Sequence, residues 1–312
     1  MKKSNGKCMT LILLLILLIS CSTSCQKKTD KKISNSEFTF SVPDVPLVHK
    51  TSDQKIDFLM DHYWDNFNFS DTTSQSRFKV AEQAFADFVN ILTSVSPPKV
   101  DRAMQVLVQK AGTNAKMLLF FQELGEKYLY DPNSPVRNEP LYCSFLRSFL
   151  QSAVIGDDWK IRAGMQYELA QKNKVGTKAI DFKYNLQDGS ESRLYTIKSP
   201  YLLLFFHNPG CTDCTIQREK ILASEVMNKF QKEGLLQVFS LYPDQDLAEW
   251  KKYYAELPDS WINGYDKNGI IKNKEVYDLK AIPSLYLLND QKIVLMKDAR
   301  FEEIEVFLSN QK

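Results

Sequence analysis

The stretch Leu202–Cys214, which reads LLLFFHNPGCTDC, constrains this chain more than any other. Leu202 to Phe206 is a short unbroken apolar run, the pattern of a buried strand. It stops at Asn208-Pro209-Gly210, residue types that turn the chain. Cys211 and Cys214 follow with two residues between them, and Thr215 to Phe230 reads as a helix. The pattern therefore places a dithiol where a helix starts. The first turn of a helix has unpaired N–H groups and a partial positive charge. Both favour a thiolate at Cys211, and the thiolate is the nucleophile. Cys214 is three residues on, on the same side of the helix. From there it can resolve a mixed disulfide held on Cys211.

The rest of the chain supplies few competing signals. Its 312 residues carry a formal net charge of +2, so nothing argues for a nucleic-acid partner. The length suits two domains. There is no Gly-rich phosphate loop, and no cofactor is expected. His49, His62 and His207 are too scattered to suggest a metal site. The six cysteines fall into groups: Cys8, Cys21 and Cys25 near the start, Cys143 alone, and the Cys211/Cys214 pair, the only CxxC. A disulfide scaffold would need more cysteines in the folded part. Structural zinc takes four ligands, and Cys143 is the only other thiol available there. An inert structural disulfide stays open beside a redox-active one.

Lys2, Lys3 and Lys7 precede an apolar run from Leu11 to Ile19, the form of a secretory signal over residues 1–20. The run is shorter than the roughly twenty residues of a spanning helix. It ends in Leu18-Ile19-Ser20-Cys21, which resembles the bacterial lipobox, so Cys21 is the expected lipidation site. Lipidation implies an anchor rather than a span. It also puts the folded part outside the cytoplasm, facing the periplasm, where disulfide exchange is possible. Residues 21–48, rich in Lys and Ser, read as a flexible tether.

Residues 49–174 read as an all-α domain of five or six helices. The first is expected to be capped by Ser52 or Asp53 and to include Trp64 and Phe67. Phe78 to Leu92, Val100 to Ala111, Met117 to Tyr128 and Leu141 to Ala153 repeat at three-four spacing. Trp159, Ile161, Arg162, Met165 and Leu169 are expected to form the face of the last helix. The aromatic run from His62 to Phe69 reads as core packing, with a contact surface as the alternative. Cys143 is expected to be a buried, inert thiol.

The texture changes at Val175, and residues 175–312 read as an α/β domain with a mixed central sheet and flanking helices. The expected strands are Ala179–Tyr184, Leu194–Ile197, Leu202–Phe206, Leu235–Leu241, and a closing hairpin of Ser284–Leu288 with Ile293–Met296. One helix is expected from Thr215 to Glu233, a second from Leu247 to Leu257, and a last one through Phe301 and Leu308. Trp261–Tyr265 and Glu275–Leu279 read as connecting pieces.

Three features in order carry a resemblance: Val175-Gly176 followed by Ala179-Ile180-Asp181-Phe182, the strand into Cys211-Thr212-Asp213-Cys214, and Ala281-Ile282-Pro283-Ser284-Leu285. On them the second half resembles the thioredoxin-fold, TlpA-like thiol–disulfide oxidoreductases. The whole chain resembles Gram-negative lipoproteins that place a helical domain before such a module. The resemblance implies catalysis by Cys211 and Cys214. It also implies a cis bond at Pro283 that lies against the dithiol and leaves the backbone of Ile282 to pair with an extended substrate, a form of strand addition.

The chain departs from the family at Gly210 and Asp213, where Trp and Pro are common, and at Phe205, where an acidic or amide residue is frequent. His207 replaces an aromatic. Asp213 is expected to oppose the thiolate by like-charge repulsion, which favours a reducing couple. His207, with an unperturbed pKa near neutral, is a candidate proton relay, or else a histidine that satisfies its own hydrogen bonds. The function implied is reduction or isomerisation of disulfides in exported proteins or in a partner redox protein. The alternative is a thioredoxin-fold interaction or scaffold lipoprotein. Peroxide reduction is a third reading, since the entry stretch also resembles peroxiredoxins; it ranks last because Asn208 and Pro209 stand two or three residues before the cysteine, where that family carries Thr.

Overall fold

A computed structural model describes residues 39–73 and 75–311. The expected signal at 1–20, the lipidation candidate Cys21 and residues 21–38 of the expected tether lie outside the described residues. The described residues form one compact unit. No helix among the described residues is long and apolar enough to cross a membrane.

The first half is helical: α1 (Ser52–His62), α2 (Gln75–Leu92), α3 (Pro97–Ala111), α4 (Ala115–Gly125), α5 (Glu139–Leu150) and α6 (Asp157–Gln171), with a π turn, Glu126–Tyr130, continuing α4. The cap of α1 is Thr51, not Ser52 or Asp53. Its hydroxyl accepts from the Gln54 N–H at 3.2 Å while the Gln54 side chain accepts from the Thr51 N–H at 3.1 Å, a reciprocal capping box. Trp64 and Phe67 fall beyond the helix end, yet they are buried with Tyr63 and Phe69. The Trp64 ring packs edge-on against Phe121, with centroids 5.3 Å apart. The aromatic run is therefore core. Within the expected tether, Phe40 also packs on this core, 5.5 Å from Tyr63 and 5.7 Å from Trp64.

The face expected for α6 is reversed. Ala163, Gln166 and Ala170 are buried, whereas Trp159, Ile161 and Met165 are each more than half exposed. Two small side chains let α6 lie close to α5, and the Tyr142 hydroxyl donates to Gln166 Oε1 at 2.8 Å. Close approach and a satisfied polar pair outweigh the pull of three larger apolar groups.

The second half holds a seven-stranded mixed sheet. Its strands are β1 (Lys183–Asn185), β2 (Glu191–Arg193), β3 (Tyr201–Phe206), β4 (Leu236–Tyr242), β5 (Ile262–Tyr265), β6 (Ser284–Asn289) and β7 (Val294–Lys297), in the order β2-β1-β5-β4-β3-β6-β7. β3, β4 and β5 are parallel, and β6 and β7 run antiparallel at one end. Helices α7 (Thr212–Ala223), α8 (Glu225–Lys232), α9 (Leu247–Tyr254), α10 (Ile270–Asn273) and α11 (Phe301–Ser309) complete the half. Leu203 and Phe205 of β3 pack with α7, α8 and α11, while Leu202, Leu204 and Phe206 face a second cluster with Phe182 and Tyr286. Period-two alternation thus buries both faces of the strand.

Several expectations shift here. Of Ala179–Tyr184 only the last two residues enter a strand. The partner strand is Glu191–Arg193, because Leu194–Thr196 forms a 3₁₀ turn that buries Leu194. Ile262–Tyr265 is a strand paired with β4 rather than a connector. The single helix expected after the cysteines is two, because Ser224 adopts extended backbone, accepts from the Met227 N–H at 3.2 Å and donates to Glu305 Oε1 at 2.5 Å. The rim of the sheet beyond β7 is covered by the connecting segment. Gly176 N–H donates to the Val294 carbonyl at 2.8 Å, Val294 N–H to the Thr177 carbonyl at 2.9 Å, and Ala179 N–H to the Lys292 carbonyl at 2.8 Å.

Candidate active site

β3 delivers the chain to Asn208-Pro209-Gly210, and α7 begins at once. Gly210 has φ +70°, a left-handed conformation that favours glycine, and a Cβ there would meet the Tyr253 hydroxyl at 3.1 Å. The turn sets Cys211 as the N-cap of α7, with extended backbone, and its sulfur accepts the Cys214 N–H at 3.1 Å. Cys211 is half-buried, Cys214 is buried, and the two are disulfide-bonded with Cα atoms 5.2 Å apart.

Far down the chain, the Ile282–Pro283 bond is cis, and the Ile282 carbonyl oxygen lies 3.8 Å from Cys211 Sγ. Residues 211 and 282 therefore meet, as the resemblance implied. Asp213 lies exposed in the first turn of α7. His207 is buried, its Nε2 is 2.7 Å from the Ser240 hydroxyl, and its ring stacks on Phe205 with centroids 5.0 Å apart. Burial, followed by the Arg218 charge, pushes its pKa down to about 4. The imidazole is therefore neutral around pH 7 and already bonded. Arg218 itself pairs with Glu256 at 2.8 Å.

Cys143 is buried on α5, and burial pushes its thiol up to about 11. It stays protonated and unreactive at neutral pH. Among the described residues no group of three or more His, Cys, Asp or Glu side chains is arranged to hold a metal ion.

Sequence reasoning missed what surrounds the proline. Lys280, three residues before Pro283, is buried with Asp278, and Ser284, directly after Pro283, donates to Asp298 at 2.9 Å. Lys280 also pairs with Glu139, 141 positions away along the chain. No local periodicity signals a pair so distant.

Residues 20–173 match the family model of a domain of unknown function, DUF5106. No curated protein matches the chain. Among solved structures, a thioredoxin-like protein from Bacteroides caccae is 42% identical, with a TM-score of 0.83 over 88% of this chain and 99% of its own. The C-terminal domain of an uncharacterized protein from Bacteroides fragilis is 47% identical over 44% of this chain and 99% of its own, with a TM-score of 0.44. At 42% identity to a relative matched along nearly its entire length, and with a mixed sheet that brings a CxxC pair against a cis-proline, the chain belongs to the thioredoxin-like proteins.

Proposed function

We propose that the protein is a lipid-anchored thiol–disulfide oxidoreductase of the cell envelope that reduces or isomerises disulfides of exported proteins. One observation carries the reading. The half-buried Cys211 sulfur sits at a helix N-cap, accepts the Cys214 N–H at 3.1 Å and faces the Ile282 carbonyl at 3.8 Å. An N–H aimed at the sulfur and the helix dipole behind it both stabilise the thiolate.

The steps balance as follows. The Cys211 thiolate attacks one sulfur of the substrate disulfide; a mixed disulfide forms and the other substrate sulfur leaves as a thiolate. Cys214 loses its proton and attacks Cys211 Sγ. The mixed disulfide breaks, the substrate departs with two thiols, and the protein holds the Cys211–Cys214 bond. A dithiol of a partner redox protein returns the pair to its reduced state. Ile282 and Pro283 would hold the substrate backbone beside the nucleophile. The exposed Asp213 carboxylate opposes a thiolate in the same turn, which supports a reducing couple. Anchoring through Cys21 rests on the Leu18-Ile19-Ser20-Cys21 motif after a basic, apolar start.

Trapping tests the reading. Cys214→Ser is expected to leave Cys211 caught in mixed disulfides with other envelope proteins. An empty trap, together with a Cys211 that does not react with disulfides, would favour the scaffold alternative. Equilibration with glutathione tests the direction, and a potential near that of a strong oxidase would contradict a reductase. Growth with a labelled fatty acid tests the anchor, which Cys21→Ala is expected to abolish.

A further inference from the structure

We propose that the helical half holds the proline loop in register with the dithiol, and that Glu139 and Arg137 are positioning residues for peptide disulfides. The inference rests on the thiol–disulfide reading above. Glu139 opens α5 and Arg137 lies just before its Asn138 cap, and they reach the two shoulders of the Ile282–Pro283 bond.

On the leading shoulder, Lys280 Nζ lies 2.8 Å from Glu139 Oε2 and 2.7 Å from Asp278 Oδ2, with only 3% of its side chain exposed. The Tyr130 ring faces the same ammonium at 4.9 Å. The other oxygen of Glu139 takes Lys297 Nζ at 2.6 Å. Lys297 in turn donates to the carbonyls of Ala170 and Lys172, at 3.1 and 2.8 Å. On the trailing shoulder, Ser284 donates to Asp298 Oδ1 at 2.9 Å. Arg137 grips that aspartate twice, Nη1 to Oδ2 at 3.0 Å and Nη2 to the backbone carbonyl at 2.5 Å. Three cations, Arg137, Lys280 and Lys297, thus balance three anions, Glu139, Asp278 and Asp298.

A buried ion-pair group is a poor device for stability, because desolvation offsets most of its attraction; its better-attested use is to fix one arrangement among alternatives. The arrangement fixed here is the 3.8 Å approach of the Ile282 carbonyl to Cys211 Sγ. An extended substrate that pairs with this backbone meets the nucleophile only if the loop keeps its place. A loop that leaves its place gives up backbone pairing that bound substrate and transition state share, so the loss falls on KM rather than on kcat. A small disulfide has no backbone to pair and is insensitive to the loop.

The test compares two substrates on the full chain: a disulfide-bridged peptide turned over with dithiothreitol regenerating the dithiol, and 5,5′-dithiobis(2-nitrobenzoate) reduced in a single turnover by the pre-reduced protein after dithiothreitol has been removed, since that reagent reduces it directly. Glu139→Gln is expected to raise KM for the peptide about tenfold while kcat and the small-disulfide rate stay within about twofold. Glu139→Asp, which keeps the charge, is expected to recover most of the loss. Arg137→Lys keeps the charge and gives up the fork onto Asp298. It is expected to raise the peptide KM about threefold, and it decides the matter should Glu139→Gln fail to fold. An unchanged peptide KM in the folded variants, or equal slowing on both substrates, overturns the positioning role. A wild-type chain inert toward both disulfides overturns the dithiol reading and this inference with it. An active wild type with unmoved variants overturns this inference alone.

Discussion

Burial against Phe205 and repulsion by Arg218 hold the His207 imidazole at a pKa of about 4, below its ordinary value of 6.5. Between those two values the unfolded chain binds a proton that the folded chain refuses. Stability from this residue is therefore fully present above pH 6.5 and is lost as pH falls toward 4. Between pH 7 and pH 5 the loss is about 2 kcal/mol. Urea midpoints at the two pH values are expected to converge in His207→Gln relative to wild type, whereas an unchanged gap would place the proton uptake elsewhere. His207→Phe is expected to leave the pH–rate profile of dithiol exchange unmoved, since a neutral, bonded ring contributes no relay near pH 7. For Asp213, removal of the charge by Asp213→Asn is expected to make the couple more oxidising by about 10 mV, roughly a twofold change in the exchange equilibrium. Equilibration with glutathione reads that shift, and no shift would mean the carboxylate acts only on water. The cysteine pair was legible because its spacing and flanks are local. The state of His207 was not, because it is set by Ser240 and Arg218, which only the fold brings alongside.

Ser224 divides what periodicity reads as one long helix. Its hydroxyl caps α8 and also reaches Glu305 on α11, so the break aims α8 and ties it to the closing helix. Ser224→Ala is expected to lower stability by about 1 kcal/mol, the usual cost of an N-cap. Chemical denaturation measures it, and a Ser224→Asp variant that restores most of the loss would assign the effect to the cap. Elements bounded by strong apolar runs, such as β3, β4 and β6, were legible to within a residue or so. Elements defined by pairing were not. β2 is polar, exposed at both ends and recognisable only by its partner β1. The face of α6 was misread for a related reason. Periodicity counts apolar side chains, while close helix approach selects small ones such as Ala163 and Ala170.

The helical half and the sheet half share a seam of buried charge, which makes their unfolding mutually costly. Amide exchange in α3 and in β4 is expected to respond together as denaturant rises, giving a single midpoint in wild type. Glu139→Gln strips an anion from the seam, and breaking such a group costs several kcal/mol. Two separated midpoints are expected in that variant, and a separation already present in wild type would mean that the seam does not couple the halves. The two textures, helical and then mixed, were readable from composition and period. The seam was not, because its partners come from segments far apart in the chain. The segment 176–179 that covers the rim at Val294 bears on how the molecule can be divided. A fragment that begins after this segment would carry a naked strand border, and like borders on neighbouring copies would zip together into fibres. A C-terminal fragment that lacks the connector is expected to self-associate more than one that keeps it, which sedimentation of the two fragments measures.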